Sequence, residues 1–342
     1  MINIGILNKG KTRKQMKNIR IIFLILAVLF CYVNTQAQEI QTSGSSAGLF
    51  DPEAGTVILN SGYKMPVIGI HCVSSSVAQT EELVYTAIQE GFRMIRVGAG
   101  MVNEEGAWKG IQKALEEKLV SREDLFIAAE LTGADTENPE KAIQNLLTRL
   151  GLNYIDLMLL RQSQFDRDAA LWTAMEKANE TGMIHSLGLS GFSETMNLDL
   201  FLNNAAAAAM PAVLQLSVYP YEQRQDMRDH LTAYGMIMMS GDPLGGNGEE
   251  QVLFADPAVS VAATWHQKTS AQVILRWQLQ SGNVIMLTPG HAARIPEYAD
   301  IFDFSLDTDE MHQINALDRQ ERLIEFESHP VAPVEEWFAI PQ

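Results

Sequence analysis

Residues 140–160 read EKAIQNLLTRLGLNYIDLMLL, and this stretch combines two periodicities in succession. The apolar residues of its first half recur at intervals of three and four: Ile143, Leu146, Leu147 and Leu150. That spacing is typical of an amphipathic helix with one buried face. The run 155–160 is short and almost wholly apolar, as in a strand that is buried on both sides. The stretch therefore predicts a helix that leads into a buried strand.

The same unit recurs along most of the chain. Further apolar runs of strand length alternate with helical patterns, at residues 67–70, 94–97, 125–131, 184–189, 212–218, 236–239 and 284–287. Eight strands separated by helices indicate parallel pairing with right-handed crossovers, in the α/β class. Their number favours a closed (β/α)8 TIM barrel, in which functional residues follow the carboxyl ends of the strands. An open doubly wound sheet is the alternative.

The segments before the barrel have a different character. Residues 1–37 carry six basic and no acidic residues before an apolar run at 21–33, which is too short for a comfortable bilayer span. Small residues at Thr35 and Ala37 favour cleavage before Gln38, so we expect a signal peptide and an exported, periplasmic or extracellular protein. Translation from Met16 and a retained membrane anchor are alternatives. Residues 38–55 predict a flexible tether, and 56–65 a β-hairpin around Asn60-Ser61-Gly62.

Composition excludes several classes of function. The formal net charge is −17, and removal of the basic leader makes the remaining chain more acidic still, so nucleic acid is not expected as a partner. Of the two cysteines only Cys72 follows the leader, so we expect no internal disulfide. The seven histidines show no ligand spacing with cysteines or acidic residues, and we expect no metal site.

Several short sequence motifs between Leu59 and about Arg322 match those of one enzyme family, and they occur in the same order. They include LNSG at 59–62, GFR at 91–93, NEEG at 103–106, RLGLNYIDL at 149–157, GLSGF at 188–192 and AQVILRW at 271–277. With these blocks the chain resembles the aldo-keto reductases, nearest to the bacterial branch that includes diketogluconate reductases. The resemblance implies one barrel domain over residues 56–342, with an N-terminal hairpin, a C-terminal helical extension and a monomeric state.

The family reduces carbonyl groups with hydride from a nicotinamide cofactor, usually NADPH, and uses an Asp, a Tyr, a Lys and a His at the barrel mouth. The resemblance places other residues at these four positions, in the same order: Arg96, Met101, Glu130 and Arg161. A thioether has no proton to donate to the forming alkoxide. A carboxylate at the Lys position repels the negative charge that develops on the carbonyl oxygen. The resemblance therefore predicts a pseudoenzyme that has lost carbonyl reduction.

The family's cofactor positions are kept only in part. Ser190 and Gln215 match residues that hydrogen-bond the nicotinamide amide, and Arg294 is also retained. The other positions differ: Gly191 for an Asn, Gly241 for the aromatic ring that stacks on the nicotinamide, Thr288-Pro289 for the Lys-Ser that receives the 2'-phosphate, and Tyr298 for an Asn. We expect no tightly bound cofactor, and NADP(H) is implied by the family resemblance alone.

Two hypotheses explain the changed residues. In the first, Arg96 and Glu130 form the family's ion pair with its charges exchanged, and Arg161 is a second partner of Glu130 in a structural brace. In the second, Arg96 and Arg161, with His71 at the end of the first barrel strand, bind a small anionic ligand. An NADP-dependent oxidoreductase with a displaced catalytic group, and an enzyme of another type in the same pocket, stay open as alternatives.

Overall fold

The structure, a computed structural model, describes residues 50–51, 55–73, 76–97, 101–132, 137–204, 209–245 and 250–320. The predicted signal peptide and most of the predicted tether lie outside these residues. In chain order the strands are β1 (Phe50–Asp51), β2 (Thr56–Ile58), β3 (Lys64–Pro66), β4 (Ile68–His71), β5 (Met94–Arg96), β6 (Phe126–Leu131), β7 (Ile155–Arg161), β8 (Ile184–Ser190), β9 (Val213–Leu216), β10 (Ile237–Ser240) and β11 (Val284–Leu287).

Strands β4 to β11 form a closed barrel of eight parallel strands. The ring closes where β11 pairs with β4, in a register that sets Ile285 opposite Ile68. The (β/α)8 prediction is confirmed. The alternative of an open doubly wound sheet is wrong, because the pairing of β11 with β4 leaves the sheet without free edges.

Helices connect successive barrel strands and cover the outside of the barrel. They are α1 (Val77–Gln89), α2 (Met101–Glu116), α3 (Pro139–Arg149), α4 (Phe165–Glu180), α5 (Thr195–Asn204), α6 (Gln225–Ala233), α7 (Glu250–Phe254), α8 (Pro257–His266), α9 (Ser270–Gln280), α10 (Ile295–Ala299) and α11 (Thr308–Asn315). Among the residues that the structure describes, no helix is both long enough and apolar enough to cross a bilayer.

The stretch that predicted the fold has the expected structure. Helix α3 begins after Asn138, whose side chain accepts a hydrogen bond from the backbone N–H of Lys141 at 3.0 Å, with Pro139 in the first turn. Its predicted apolar face is buried against the barrel. Strand β7 then runs one residue further than predicted and ends at Arg161. The boundaries of the other barrel strands differ from the prediction by at most two residues.

The first two helices pack unusually closely because of two glycines. A Cβ atom at Gly106 would lie 2.5 Å from Cβ of Thr80, and one at Gly110 would lie 2.7 Å from the carbonyl oxygen of Glu81. Both glycines are on α2 and are four residues apart, so they share one face of that helix. The absence of side chains there lets α1 approach, which fixes α2 directly after the carboxyl end of β5.

The predicted hairpin is present as β2 and β3, and it lies at the amino ends of the barrel strands, which we call the base. Its turn contacts the barrel through Asn60 Nδ2, which donates to the carbonyl oxygen of Pro211 at 2.9 Å, and through a 2.8 Å hydrogen bond between the hydroxyls of Ser61 and Ser186. Phe50–Asp51, inside the predicted tether, instead pairs antiparallel with β2. Backbone hydrogen bonding at the free edge of the hairpin thus orders the end of that segment.

The C-terminal part of the described chain confirms a helical extension. Helix α11 begins with a capping box formed by Asp307 and Glu310. Trp277, fully buried on α9, donates from Nε1 to Oδ1 of Asn315 at 2.7 Å and thereby fixes α11 against the barrel. Cys72 is 1% exposed and burial raises the pKa of its thiol, which is consistent with a packing role.

Candidate functional site

The carboxyl ends of the barrel strands, which we call the mouth, bring together most of the residues singled out in the sequence. The strand positions are His71 at the end of β4, Arg96 at the end of β5, Glu130 one residue before the end of β6, Arg161 at the end of β7, Ser190 at the end of β8 and Gln215 one residue before the end of β9. All eight strands are parallel, so these positions share one rim.

Arg96 is the centre of a hydrogen-bonded group that we call the mouth cluster: Arg96, Glu130, Arg161 and Gln215. Arg96 is only 5% exposed, and its Nη2 lies 2.7 Å from Oε2 of Glu130 while its Nη1 donates to Oε1 of Gln215 at 2.8 Å. Nη1 of Arg161 lies 3.8 Å from the same Oε2 of Glu130. The hypothesised ion pair of Arg96 and Glu130 is therefore present, and Arg161 is near the same carboxylate.

The mouth cluster leaves some buried polar atoms without hydrogen-bond partners. In the described part of the chain these include Nε of Arg96, Oε1 of Glu130 and Nε2 of the neighbouring Gln162. Arg161, in contrast, has 47% of its side chain exposed. Buried groups without a partner are uncommon in folded proteins and mark functional or strained positions. The mouth therefore combines an accessible cation with unsatisfied groups beneath it.

His71 is neutral at physiological pH. Burial, followed by the nearby charges of Arg96 and Arg161, lowers its pKa from the ordinary 6.5 to about 3. Protonation would place a third positive charge beside two guanidinium groups in a poorly solvated position. His71 is therefore a neutral imidazole at the mouth. It can hydrogen-bond an anionic ligand but does not attract one by positive charge.

Sequence reasoning missed two further residues of the mouth. Asp242 follows β10 and accepts a hydrogen bond from the hydroxyl of Ser217 at 2.9 Å. Burial raises the pKa of Asp242, while Ser217 and the charge of Arg96 act in the opposite direction. The sequence signal that could have identified Asp242 and Ser217 is their position within two residues of the ends of β10 and β9.

Gln215 and Gly241 lie against each other on neighbouring strands. Gln215 is 8% exposed, and a Cβ atom built on Gly241 would lie 2.6 Å from its Nε2. The backbone N–H of Gly241 donates to the carbonyl oxygen of Leu216 at 2.8 Å, so this segment cannot easily move away. The carboxamide of Gln215, held by Arg96, thus fills the space in which a side chain at position 241 would begin.

The remaining predicted residues are less closely connected to the cluster. Ser190 is buried, and its carbonyl oxygen accepts from the backbone N–H of Gln162 at 2.8 Å. Arg294 makes local contacts, with Nε 2.8 Å from Oε2 of Glu297 and its guanidinium 5.3 Å from the ring centroid of Tyr298. Helix α2 begins at Met101, whose side chain lies outside the described part of the structure.

A cavity of about 670 Å³ lies at the base, where Tyr63, Tyr154, Asp156 and His185 contribute to its wall. The carboxylate of Asp156 in this wall is already paired, because Nη2 of Arg122 lies 2.7 Å from its Oδ2. Nowhere among the described residues do three His, Cys, Asp or Glu side chains come together in a way that could hold a metal ion. The mouth is therefore the better candidate for function.

Comparison with known proteins identifies relatives over this whole barrel. The model of the aldo/keto reductase family matches residues 69–319. An aldo-keto reductase of Mycolicibacterium vanbaalenii is 32% identical over 271 residues, covering 78% of this chain and 93% of the relative. A methylglyoxal reductase of Yersinia pestis is 31% identical over 267 residues, with 78% and 93% covered. A crystal structure of a Bombyx mori aldo-keto reductase in complex with NADP superposes with a TM-score of 0.71 at 26% identity, covering 79% of this chain and 94% of that one.

Proposed function

The chain belongs to the aldo/keto reductase family, and on that premise we propose that it no longer reduces carbonyl groups and binds a small anionic ligand at the barrel mouth. In this proposal Arg96, Met101, Glu130 and Arg161 hold the positions of the family's Asp, Tyr, Lys and His, within a diketogluconate-reductase-like branch. The mouth has become a binding site without the groups that transfer the proton.

The observation that carries the proposal is the buried pair of Arg96 and Glu130. Carbonyl reduction needs a proton donor and positive charge beside the oxygen that becomes negative. In this proposal the carboxylate of Glu130, 2.7 Å from Arg96, takes the position of the family's Lys. Replacing Glu130 alone would leave the buried Arg96 without its charged partner, which is destabilising. The two residues therefore depend on each other.

The residues of the mouth do not fit the family's nicotinamide cofactor. The oxygen of the Gln215 carboxamide accepts from Arg96, and the same carboxamide fills the space beside Gly241 where the family stacks an aromatic ring. Arg294 is engaged by Glu297. The glycine at position 241 offers no ring to stack on the nicotinamide, and we derive no reaction step through the cofactor.

Charge and exposure favour an anion as the ligand. Arg161 presents about half of its side chain to solvent, and its Nη1 lies 3.8 Å from Oε2 of Glu130. A guanidinium can bind a carboxylate through two parallel hydrogen bonds, which gives both affinity and orientation. Arg96 adds a second positive charge on the other side of Glu130.

Two measurements on the purified barrel test this proposal. Titration with NADPH, followed by fluorescence, is expected to show no binding below about 100 μM; submicromolar affinity or turnover of any aldehyde would overturn the proposal. Small carboxylic acids are expected to raise the melting temperature of the unmodified protein and not that of Arg161→Ala. If Arg161→Ala instead loses stability and no acid has an effect, the structural brace is the correct interpretation.

A second candidate function is NADP-dependent carbonyl reduction with a displaced proton donor. It is favoured by the retention of Ser190 and Gln215 at the ends of neighbouring barrel strands, and by the relative from Bombyx mori that binds NADP. The NADPH titration separates the two candidates, because this one requires tight binding and measurable oxidation of the cofactor.

We further propose that the protein is exported as a monomer after cleavage before Gln38. The proposal rests on the basic residues and the short apolar run of residues 1–37. Mass spectrometry of the protein isolated from the cells that make it should give a chain that begins at Gln38. An intact leader in the mature protein would contradict cleavage and favour the membrane-anchored alternative.

A further inference from the structure

The unsatisfied atoms of the mouth differ in chemical kind. Nε of Arg96 and Nε2 of Gln162 are donors without an acceptor, whereas Oε1 of Glu130 is an acceptor without a donor. A buried polar atom without a partner is costly, and a ligand that supplies the partner recovers that cost on binding. A ligand complementary to this set must therefore bring both an acceptor and a donor.

We propose that the ligand is a small carboxylic acid that carries a hydroxyl or an ammonium group on the carbon next to its carboxylate. This inference rests on the proposed function and names the chemical class of its ligand. The carboxylate binds Arg161 and the carboxamide of Gln162, and the neighbouring donor group hydrogen-bonds to Oε1 of Glu130.

Strand register supports this division of roles. Glu130 lies opposite Leu159 in the β6–β7 pairing, so Arg161 and Gln162 are two and three residues nearer the rim. The guanidinium of Arg161 nevertheless reaches back to within 3.8 Å of Glu130 Oε2. A cation and a carboxylate this close suit a ligand whose own carboxylate and donor group are on adjacent atoms.

The same geometry disfavours a simple inorganic anion. Sulfate offers only acceptor oxygens at neutral pH, and it would place negative charge beside the Glu130 carboxylate while leaving Oε1 without a donor. A hydroxyl or an ammonium group removes that repulsion, because its hydrogen points toward the carboxylate. The positive charge of the arginines therefore favours anions in general, whereas Glu130 favours those anions that also carry a hydrogen-bond donor.

Four acids built on a three-carbon chain test the inference: lactate, alanine, propionate and 2-methoxypropionate. All four carry an ionised carboxylate at neutral pH, but only lactate and alanine have a donor on the adjacent carbon. Isothermal titration calorimetry of the full mature barrel should show lactate or alanine binding at least about 10-fold more tightly than propionate and 2-methoxypropionate. Equal affinity for lactate and 2-methoxypropionate would overturn the inference, since the ether keeps the oxygen but has a methyl group in place of the hydrogen that Glu130 should accept.

Variants connect the preference to named residues. Arg161→Ala should abolish binding of all four acids, whereas Arg149→Ala should leave it unchanged. The two arginines form a matched pair: each has nearly half of its side chain exposed, and each contacts a glutamate whose side chain is 11% exposed. Glu130→Gln should reduce the preference for alanine over propionate at least about 10-fold, because an ammonium loses its charged acceptor.

The outcomes separate this inference from the function on which it rests. Equal, Arg161-dependent binding of all four acids would preserve an anion site and refute the selection by Glu130. No binding of any acid to a correctly folded protein would refute both. If Glu130→Gln does not fold, the comparison of lactate with 2-methoxypropionate on the unmodified protein still decides.

Discussion

The mouth and the base of the barrel each contain a buried arginine–carboxylate pair, and the two pairs are completed differently. At the base, Oδ2 of Asp156 lies 2.7 Å from Arg122 and also accepts the backbone N–H of Ile127 at 2.8 Å. At the mouth, Arg96 and Glu130 are equally close. Nε lacks a hydrogen-bond partner in both arginines, but Oε1 of Glu130 lacks one as well. The two pairs therefore have the same distance and differ in the hydrogen bonding of the carboxylate.

The surroundings of the base pair explain why it is structural. Arg122 Nη1 donates to the carbonyl oxygen of Leu125 at 2.8 Å, and its guanidinium lies 4.0 Å from the ring centroid of Tyr154. The ring of His185 stacks between Tyr154 and Tyr63, at 4.2 and 4.5 Å. This column of side chains joins the amino ends of the barrel strands to the hairpin that covers them.

The largest expected effect comes from breaking the base pair. Asp156→Ala removes the partner of a mostly buried arginine and the acceptor of the Ile127 N–H, and should lower the free energy of unfolding by about 3–5 kcal/mol. Urea denaturation measures this loss. Asp156→Asn, which keeps an acceptor oxygen, should lose less. A loss below about 1 kcal/mol for Asp156→Ala would mean that the base is no more structural than the mouth.

The next effect is a difference between the mouth and the base of the barrel in how their histidines make stability depend on pH. His71 has a pKa of about 3 when folded and 6.5 when unfolded, so below pH 6.5 only the unfolded chain takes up the proton. The contribution of His71 is fully present above pH 6.5 and is lost as the pH falls toward 3, by at most about 1.4 kcal/mol per pH unit. Urea midpoints between pH 7 and 5 should therefore fall less in His71→Gln.

His185 at the base is the matched control for this pH dependence. Burial lowers the pKa of His185, and the charge of Asp156 opposes that shift. At His71, by contrast, the charges of Arg96 and Arg161 act in the same direction as burial. His185→Gln should flatten the pH profile less than His71→Gln does. Identical profiles for the unmodified protein and His71→Gln would show that the arginines of the mouth do not exclude the proton.

A smaller effect tests how tightly the mouth is filled. In Gly241→Ala the new Cβ meets the carboxamide of Gln215 at 2.6 Å, and the strain should lower the free energy of unfolding by about 1–2 kcal/mol. Gly290→Ala is the control, because nothing lies within 4 Å of a Cβ there. Adding Gln215→Ala to Gly241→Ala should recover part of the loss. Equal stability of the two single variants would indicate that Gln215 moves freely.

The smallest effect concerns the stack at the base. Tyr63→Leu removes the ring that lies parallel to His185 and should lower the free energy of unfolding by about 1 kcal/mol. Tyr63→Phe keeps the ring and should retain the stability of the unmodified protein. Thermal denaturation compares the two variants. If both lose the same amount, the hydroxyl group matters and stacking does not.

The sequence predicted the barrel because its signals are local and repeated. Each unit, such as residues 140–160, encodes a helix with one apolar face and a strand that is apolar on both faces, and parallel strands order the units without further information. The end of the tether was harder to predict. Phe50–Asp51 has no strong pattern of its own and becomes a strand only because the edge of β2 offers backbone partners.

Part of the candidate site was also predictable. A barrel places the ends of all its strands on one rim, so the proximity of Arg96, Glu130 and Arg161 followed from strand positions, and the opposite charges of Arg96 and Glu130 indicated their pairing. Asp242 and Ser217 were not predicted, because a strand-end position marks many residues and does not reveal which of them contact each other. Their hydrogen bond depends on how β9 and β10 twist together.

The sequence alone therefore determined the number and order of the barrel units and the identity of the residues at the mouth, because periodicity and residue type are properties of the chain. Only the tertiary structure decided which polar atoms are satisfied. Whether Oε1 of Glu130 has a donor, or whether Gln215 fills the space beside Gly241, depends on distances below 3 Å between residues far apart in sequence. Those distances are set by packing, and they distinguish the hydrogen-bonded carboxylate at the base from the carboxylate at the mouth, which has an oxygen without a partner.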